Sequence, residues 1–109
     1  MDVLFKTKKL AKCCLEERVM SKALGARGSR KLKARLADLR AASDILQVHR
    51  GRPHQLKGQF AGCIAFDLDA GRRLVVEAVA EPLPELPDGG LDWRNVVAVR
   101  VVFIGDYHG

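Results

Sequence analysis

Two periodicities divide the chain. Near the start Val3, Leu4 and Phe5 are compatible with a short strand, after which Leu10, Ala11, Cys14, Leu15 and Val19 recur at helical spacing as far as Leu24 and Gly25. Gly25 and Gly28 predict a break and Ser29 a cap. Leu32, Leu36 and Leu39 then mark the buried stripe of a second helix that ends near Ala42. Arg30, Lys31, Lys33, Arg35 and Arg40 occupy its polar side. From Phe60 the period becomes two, with Phe60, Ile64, Phe66 and Leu68 sharing one parity and Ala61, Cys63, Ala65 and Asp67 the other. Asp69-Ala70-Gly71 reads as a hairpin turn into RLVVEAVA, where Leu74, Val76 and Ala78 face one way and Arg73, Val75 and Glu77 the other.

Pro82, Pro84 and Pro87 cannot donate to a ladder, so EPLPELPDGGLDW predicts a loop before the last strand, VVAVRVVFI. Helices first and hairpin-linked strands afterwards predict an α+β domain, two N-terminal antiparallel helices on an antiparallel sheet, with residues 1–109 forming one domain.

Composition narrows the class. With 48% hydrophobic residues and only short apolar runs, the chain fits neither disorder nor a membrane partner. MDVLFKTKK is unlike a secretory leader, which predicts a cytoplasmic location by default. Cys13, Cys14 and Cys63 lack zinc-ligand spacing and read as reduced, buried thiols. The net charge of +6 is uneven, because the basic residues concentrate before position 59 and the acidic ones after it. A basic helical face suits a polyanion such as RNA, an acidic protein partner, or plain solvation.

The residues able to carry chemistry lie in PHQLKGQF, at Arg73, and in the closing GDYHG. His54 and Lys57 are close in sequence, and a sheet with Arg73 beside the end of the last strand would gather them with Tyr107 and His108. Two imidazoles, a phenol, a lysine and an arginine suit RNA cleavage without metal or cofactor: a 2′-hydroxyl loses a proton, a 5′-oxygen gains one, and fixed cations stabilise the phosphorane.

HQLKGQFAG, GRRLVVE, PDGGLDW and the terminal IGDYHG resemble the HigB-type killer proteins of the RelE/ParE toxin superfamily over nearly the whole chain, and RKLKARLADLRAA resembles their second helix. The resemblance implies a RelE-like fold with a curved antiparallel sheet, and a ribosome-dependent mRNA endonuclease acting in the A site. It also implies contact with ribosomal RNA through the basic helix, and a cognate antitoxin, often with a helix-turn-helix DNA-binding domain. His54 and Lys57 match the family's His-x-Leu-Lys-Gly positions, Arg73 its strand arginine, and Tyr107 and His108 its final pair. Gln55 stands where proline is common. Arg72 and Arg73 both remain eligible as the functional arginine, with Arg73 favoured because it directly precedes Leu74-Val75-Val76. The same superfamily also contains non-catalytic inhibitors of gyrase, so a protein target is the alternative.

Overall fold

The computed structural model describes residues 1–106; Tyr107, His108 and Gly109 lie outside the described residues. Strand β1 (Asp2–Phe5) leads into helix α1 (Lys8–Leu15), which starts where the Thr7 side chain accepts a hydrogen bond from the Leu10 amide. Helix α2 (Glu17–Ala41) follows after a single extended residue, Glu16. The chain then forms β2 (His54–Gln55), β3 (Ile64–Asp67), β4 (Arg73–Ala78) and β5 (Ala98–Gly105). No helix among the described residues is long and apolar enough to cross a membrane.

The break expected at Gly25 is present: at φ 72° and ψ −179° this residue leaves helical geometry and kinks α2 into two helical parts. A further break, marked by no glycine or proline, falls at Glu16, at φ −109° and ψ 114°, between α1 and α2. Gly28 does not interrupt the helix and serves close approach instead. A Cβ there would come within 2.8 Å of Arg72 Nη2, Asp69 Oδ1 and Leu24 Cβ. Ser29, expected as a cap, is buried inside the helix.

The five strands are ordered β1-β5-β4-β3-β2. β2, β3, β4 and β5 pair antiparallel, but β1 runs parallel to β5, with Val3 opposite Val99. The sheet is therefore mixed, which corrects the antiparallel expectation. The reason is topological: after the helices the chain enters the far edge of the sheet at β2, and three successive antiparallel reversals bring β5 back beside β1 in the same direction. A register shift between Val75 and Val76 adds local twist to the β4–β5 pair.

One face of the sheet carries the main core. Ile64, Phe66, Leu74, Val76, Val99 and Val101 pack there with Leu32, Leu36 and Leu39 of α2. Val48, Trp93 and Val96 extend this core from the connecting segments. The opposite face carries a smaller cluster of Cys63, Ala65 and Val75, with Leu56, Phe60 and Phe103 against it. Phe60 thus lies across the sheet from Ile64 and Phe66, although it shares their parity. It belongs to the 3-10 turn Gly58–Phe60, and Gly62 at φ 85° intervenes before β3, so alternation does not carry through. The cysteines are free, with Cys14 and Cys63 buried and Cys13 partly so. Burial first, then neighbouring Cys13, pushes the Cys14 thiol up to about 12 against the opposing charge of Arg40.

Candidate active site

The β3–β4 hairpin gives the two adjacent arginines different partners. Ala70 at φ 51° and Gly71 at φ 75° make the tight turn, closed by hydrogen bonds from Arg72 N to Asp69 O (2.8 Å) and from Leu68 N to Arg72 O (2.9 Å). The Arg72 side chain turns towards α2. Its guanidinium donates to the Ala23 and Leu24 carbonyls at 3.2 and 2.8 Å and to Asp69 Oδ1 at 2.7 Å. These carbonyls precede the Gly25 kink, where helical partners run out, so Arg72 caps the first part of α2.

This contact gives Gly28 its role. Gly28→Ala adds helix propensity worth about 1 kcal/mol but places a methyl in the path of the Arg72–Asp69 pair. The expected net effect is destabilisation by up to about 2 kcal/mol, checked by urea unfolding, because such overpacking costs about 1–3 kcal/mol.

Arg73 belongs to the other face. It pairs with Asp67 across β3 and with Gly105 across β5. Its Nε donates to Asp67 Oδ1 at 3.1 Å. The same carboxylate accepts from Arg52, whose Nε lies 2.7 Å from Oδ2 and whose Nη2 lies 3.3 Å from Oδ1. Partial desolvation pushes the Asp67 carboxyl up, but hydrogen bonds and positive charge from Arg52 and Arg73 outweigh it and hold the group below its ordinary value. Asp67 is an anion at neutral pH.

His54 joins this group through the backbone. It pairs with Ala65 in β3, two residues before Asp67, and its Nδ1 lies 2.9 Å from the Arg52 carbonyl oxygen. A carbonyl only accepts, so Nδ1 carries the proton and Nε2 is the basic nitrogen of the neutral ring. Lys57 is exposed at the head of the turn that follows β2. Phe60 and Phe103, with ring centroids 5.3 Å apart, pack on the same face.

Of the sequence-derived site residues, the structure gathers His54 and Arg73 around the Arg52–Asp67 pair. Tyr107 and His108 fall outside the described residues. The last described residues lie near Arg73: Gly105 is its register partner, and Asp106 lies over the hairpin turn, 3.6 Å from where a Gly71 Cβ would stand.

The helix cations do not form one face. At about 100° per residue, Lys31 and Arg35 lie on one flank of the buried leucine stripe, and Arg30, Lys33 and Arg40 on the other. Lys31 and Arg35 line a recess of ≈ 190 Å³ with Gly51, Arg52, Asp67 and Leu68. Arg35 also pairs with Asp38 at 3.3 Å, and Lys33 pairs with Glu17. Arg52 and Asp67 had no motif to announce them; their alignment with Arg73 depends on strand register.

No protein-family model matches the chain, and no curated protein matches it either. Among solved structures, the chain is similar to one in the YoeB-YefM complex from Staphylococcus aureus, with 12% identity, a TM-score of 0.59, and coverage of 100% of this chain and 98% of that one. At this identity the likeness establishes the fold alone.

Proposed function

We propose that this chain is the toxin of a type II toxin–antitoxin pair and acts as a RelE-type endoribonuclease on mRNA in the ribosomal A site. The observation that carries this reading is the register of Arg73: it stands against Asp67 on one side and Gly105 on the other, on the face that also holds His54. A strand arginine and an imidazole with a basic Nε2 on one face of the sheet support the chemistry the motifs imply.

In this reading the 2′-hydroxyl attacks the adjacent phosphorus and the 5′-oxygen leaves, giving a 2′,3′-cyclic phosphate and a 5′-hydroxyl. One proton leaves the 2′-hydroxyl and one is delivered to the 5′-oxygen. His54 and His108 are the groups able to exchange them, with Tyr107 assisting. Arg73 and Lys57 stabilise the added phosphate charge. The ribosome orients the mRNA, which supplies much of the rate. The partners of this reading are the A-site mRNA, ribosomal RNA against the basic helix, and a cognate antitoxin.

The test compares cleavage of the same mRNA free and on programmed ribosomes, with cut ends identified chemically. Wild type is expected to cut on the ribosome and barely to cut free RNA, and His108→Ala to slow cleavage about a hundredfold or more without loss of ribosome binding. Growth arrest without any RNA cut would point instead to a protein target such as gyrase. Equal rates for His108→Ala and wild type would remove His108 from the chemistry.

A further inference from the structure

Arg52 is held in a way that fold stability does not explain. Its backbone is left-handed, at φ 48°, directly after Gly51 at φ 82°. A side-chain-bearing residue in this region costs about 1–3 kcal/mol. Three sets of contacts maintain it: Asp67 N donates to Gly51 O at 2.6 Å, His54 Nδ1 donates to Arg52 O, and the guanidinium lies on Asp67. Gly51 is crowded as well as left-handed, since a Cβ would stand 3.0 Å from Arg35 Cδ and 3.3 Å from Phe66 Cβ. Yet the Arg52 side chain is 65% exposed, and ion pairs this open contribute about 0–1 kcal/mol. The strain and the fixed loop thus present a charged group to solvent.

We propose that Arg52 forms a second phosphate-binding subsite beside Arg73, and that Asp67 is the positioning residue that keeps the two guanidinium groups in register on one RNA strand. The inference rests on the RNA reading above. Asp67 takes the Nε edge of Arg52, so the opposite edge of that planar fork faces away from the carboxylate, in the orientation that suits bidentate binding of a phosphate. One carboxylate spread over two guanidiniums leaves a positive cluster, and Lys31 adds to it in the adjoining recess, where the charge of Arg35 is offset by Asp38. Lys31 on this flank of α2 therefore continues the site, directing the strand from Arg73 through Arg52 towards the helix. His54 is tied to the same loop, so movement of Arg52 also moves the imidazole.

Asp67 makes the proposal discriminating. If it only neutralised charge, removing it would tighten RNA binding; if it positions Arg52, removing it weakens binding although the protein gains positive charge.

The experiment measures binding of the full chain to a short 2′-O-methyl RNA oligonucleotide, which cannot be cut by 2′-hydroxyl attack, with a single uncharged methylphosphonate moved along the backbone. Arg52→Gln is expected to weaken binding about tenfold, the loss of one charge-assisted contact. It should also reduce the log–log salt slope by about 0.7, the contribution of one phosphate on a single strand. The variant should become insensitive to methylphosphonate at one linkage only. Asp67→Asn is expected to weaken binding and blunt the same linkage, with an unchanged melting temperature, while Arg52→Lys restores the salt slope but not the full affinity.

Tighter or unchanged binding by Asp67→Asn overturns the positioning role. Equal weakening at every linkage in Arg52→Gln, or no binding by wild type at low salt, overturns the subsite. Because no step of this assay requires cleavage, a wild-type protein that shows the linkage pattern but never cuts mRNA sinks the nuclease reading and leaves the subsite standing. One that cuts on the ribosome without the pattern does the opposite.

Discussion

Arg73→Ala is expected to lower ribosome-programmed mRNA cleavage by about 10²–10³-fold, the range for removing a group that stabilises developing transition-state charge. Its melting temperature should change little, because the Arg73–Asp67 pair is part-exposed and such pairs contribute about 0–1 kcal/mol. The neighbouring substitution is expected to behave in the opposite way. Arg72→Ala strips the Ala23 and Leu24 carbonyls of their cap and leaves Asp69, 14% exposed, without its cation. Hydrogen bonds to charged groups contribute about 1.5–3 kcal/mol each, so a loss of about 2–3 kcal/mol follows, with cleavage largely retained at temperatures where the variant is folded. Arg72, at the end of the hairpin turn, reaches α2 and Arg73, the first residue of β4, reaches Asp67, and this contrast tests whether the two positions divide stability from chemistry. Parallel loss of stability and activity in both variants would reject the division. Full activity in Arg73→Ala would remove that residue from the site.

The hairpin was legible because its signals are local. Alternation brackets Asp69-Ala70-Gly71, and Ala70 and Gly71 take the two positive φ values that a tight hairpin turn requires. The expected orientation of Leu74 and Val76 away from Val75 is what the two clusters show, since Leu74 and Val76 face the helices and Val75 lies behind. The break at Glu16 was not legible, because CCLEER contains no glycine or proline and its residues favour continued helix. Gly28 misled for a related reason: its glycine serves contact with a hairpin more than forty residues away, and close approach leaves the same mark in sequence as flexibility. The parallel β1–β5 pair was hidden too, because neighbour choice in a sheet depends on the whole chain path. At the site, His54 and Arg73 were marked by motif. Arg52 and Asp67, fifteen residues apart, meet only once β2, β3 and the left-handed loop are in place.

Phe66→Ala is expected to cause the largest loss of stability. Phe66 is completely buried, lies opposite Leu74 in the β3–β4 pair, and belongs to the cluster in which Leu32, Leu36 and Leu39 cover the sheet. Truncating a core phenylalanine costs about 3–5 kcal/mol, combining lost apolar transfer with an unfilled cavity. Against a total stability of about 5–15 kcal/mol this is a large share, and at about 4–8 °C per kcal/mol for a domain of this size the melting temperature should fall by roughly 15 °C or more. The contact with the Arg52 loop is made at Phe66 Cβ, 3.3 Å from where a Gly51 Cβ would stand, and Phe66→Ala keeps that atom. Oligonucleotide binding is therefore expected to be retained at temperatures where Phe66→Ala is folded. Phe66→Leu, which keeps most of the volume, should cost less than about 1.5 kcal/mol. Thermal melting and oligonucleotide binding at low temperature check both parts. A melting-temperature loss of only a few degrees in Phe66→Ala would show that the core closes over the missing ring, and weakened binding by the folded variant would show that the ring supports the Arg52 loop.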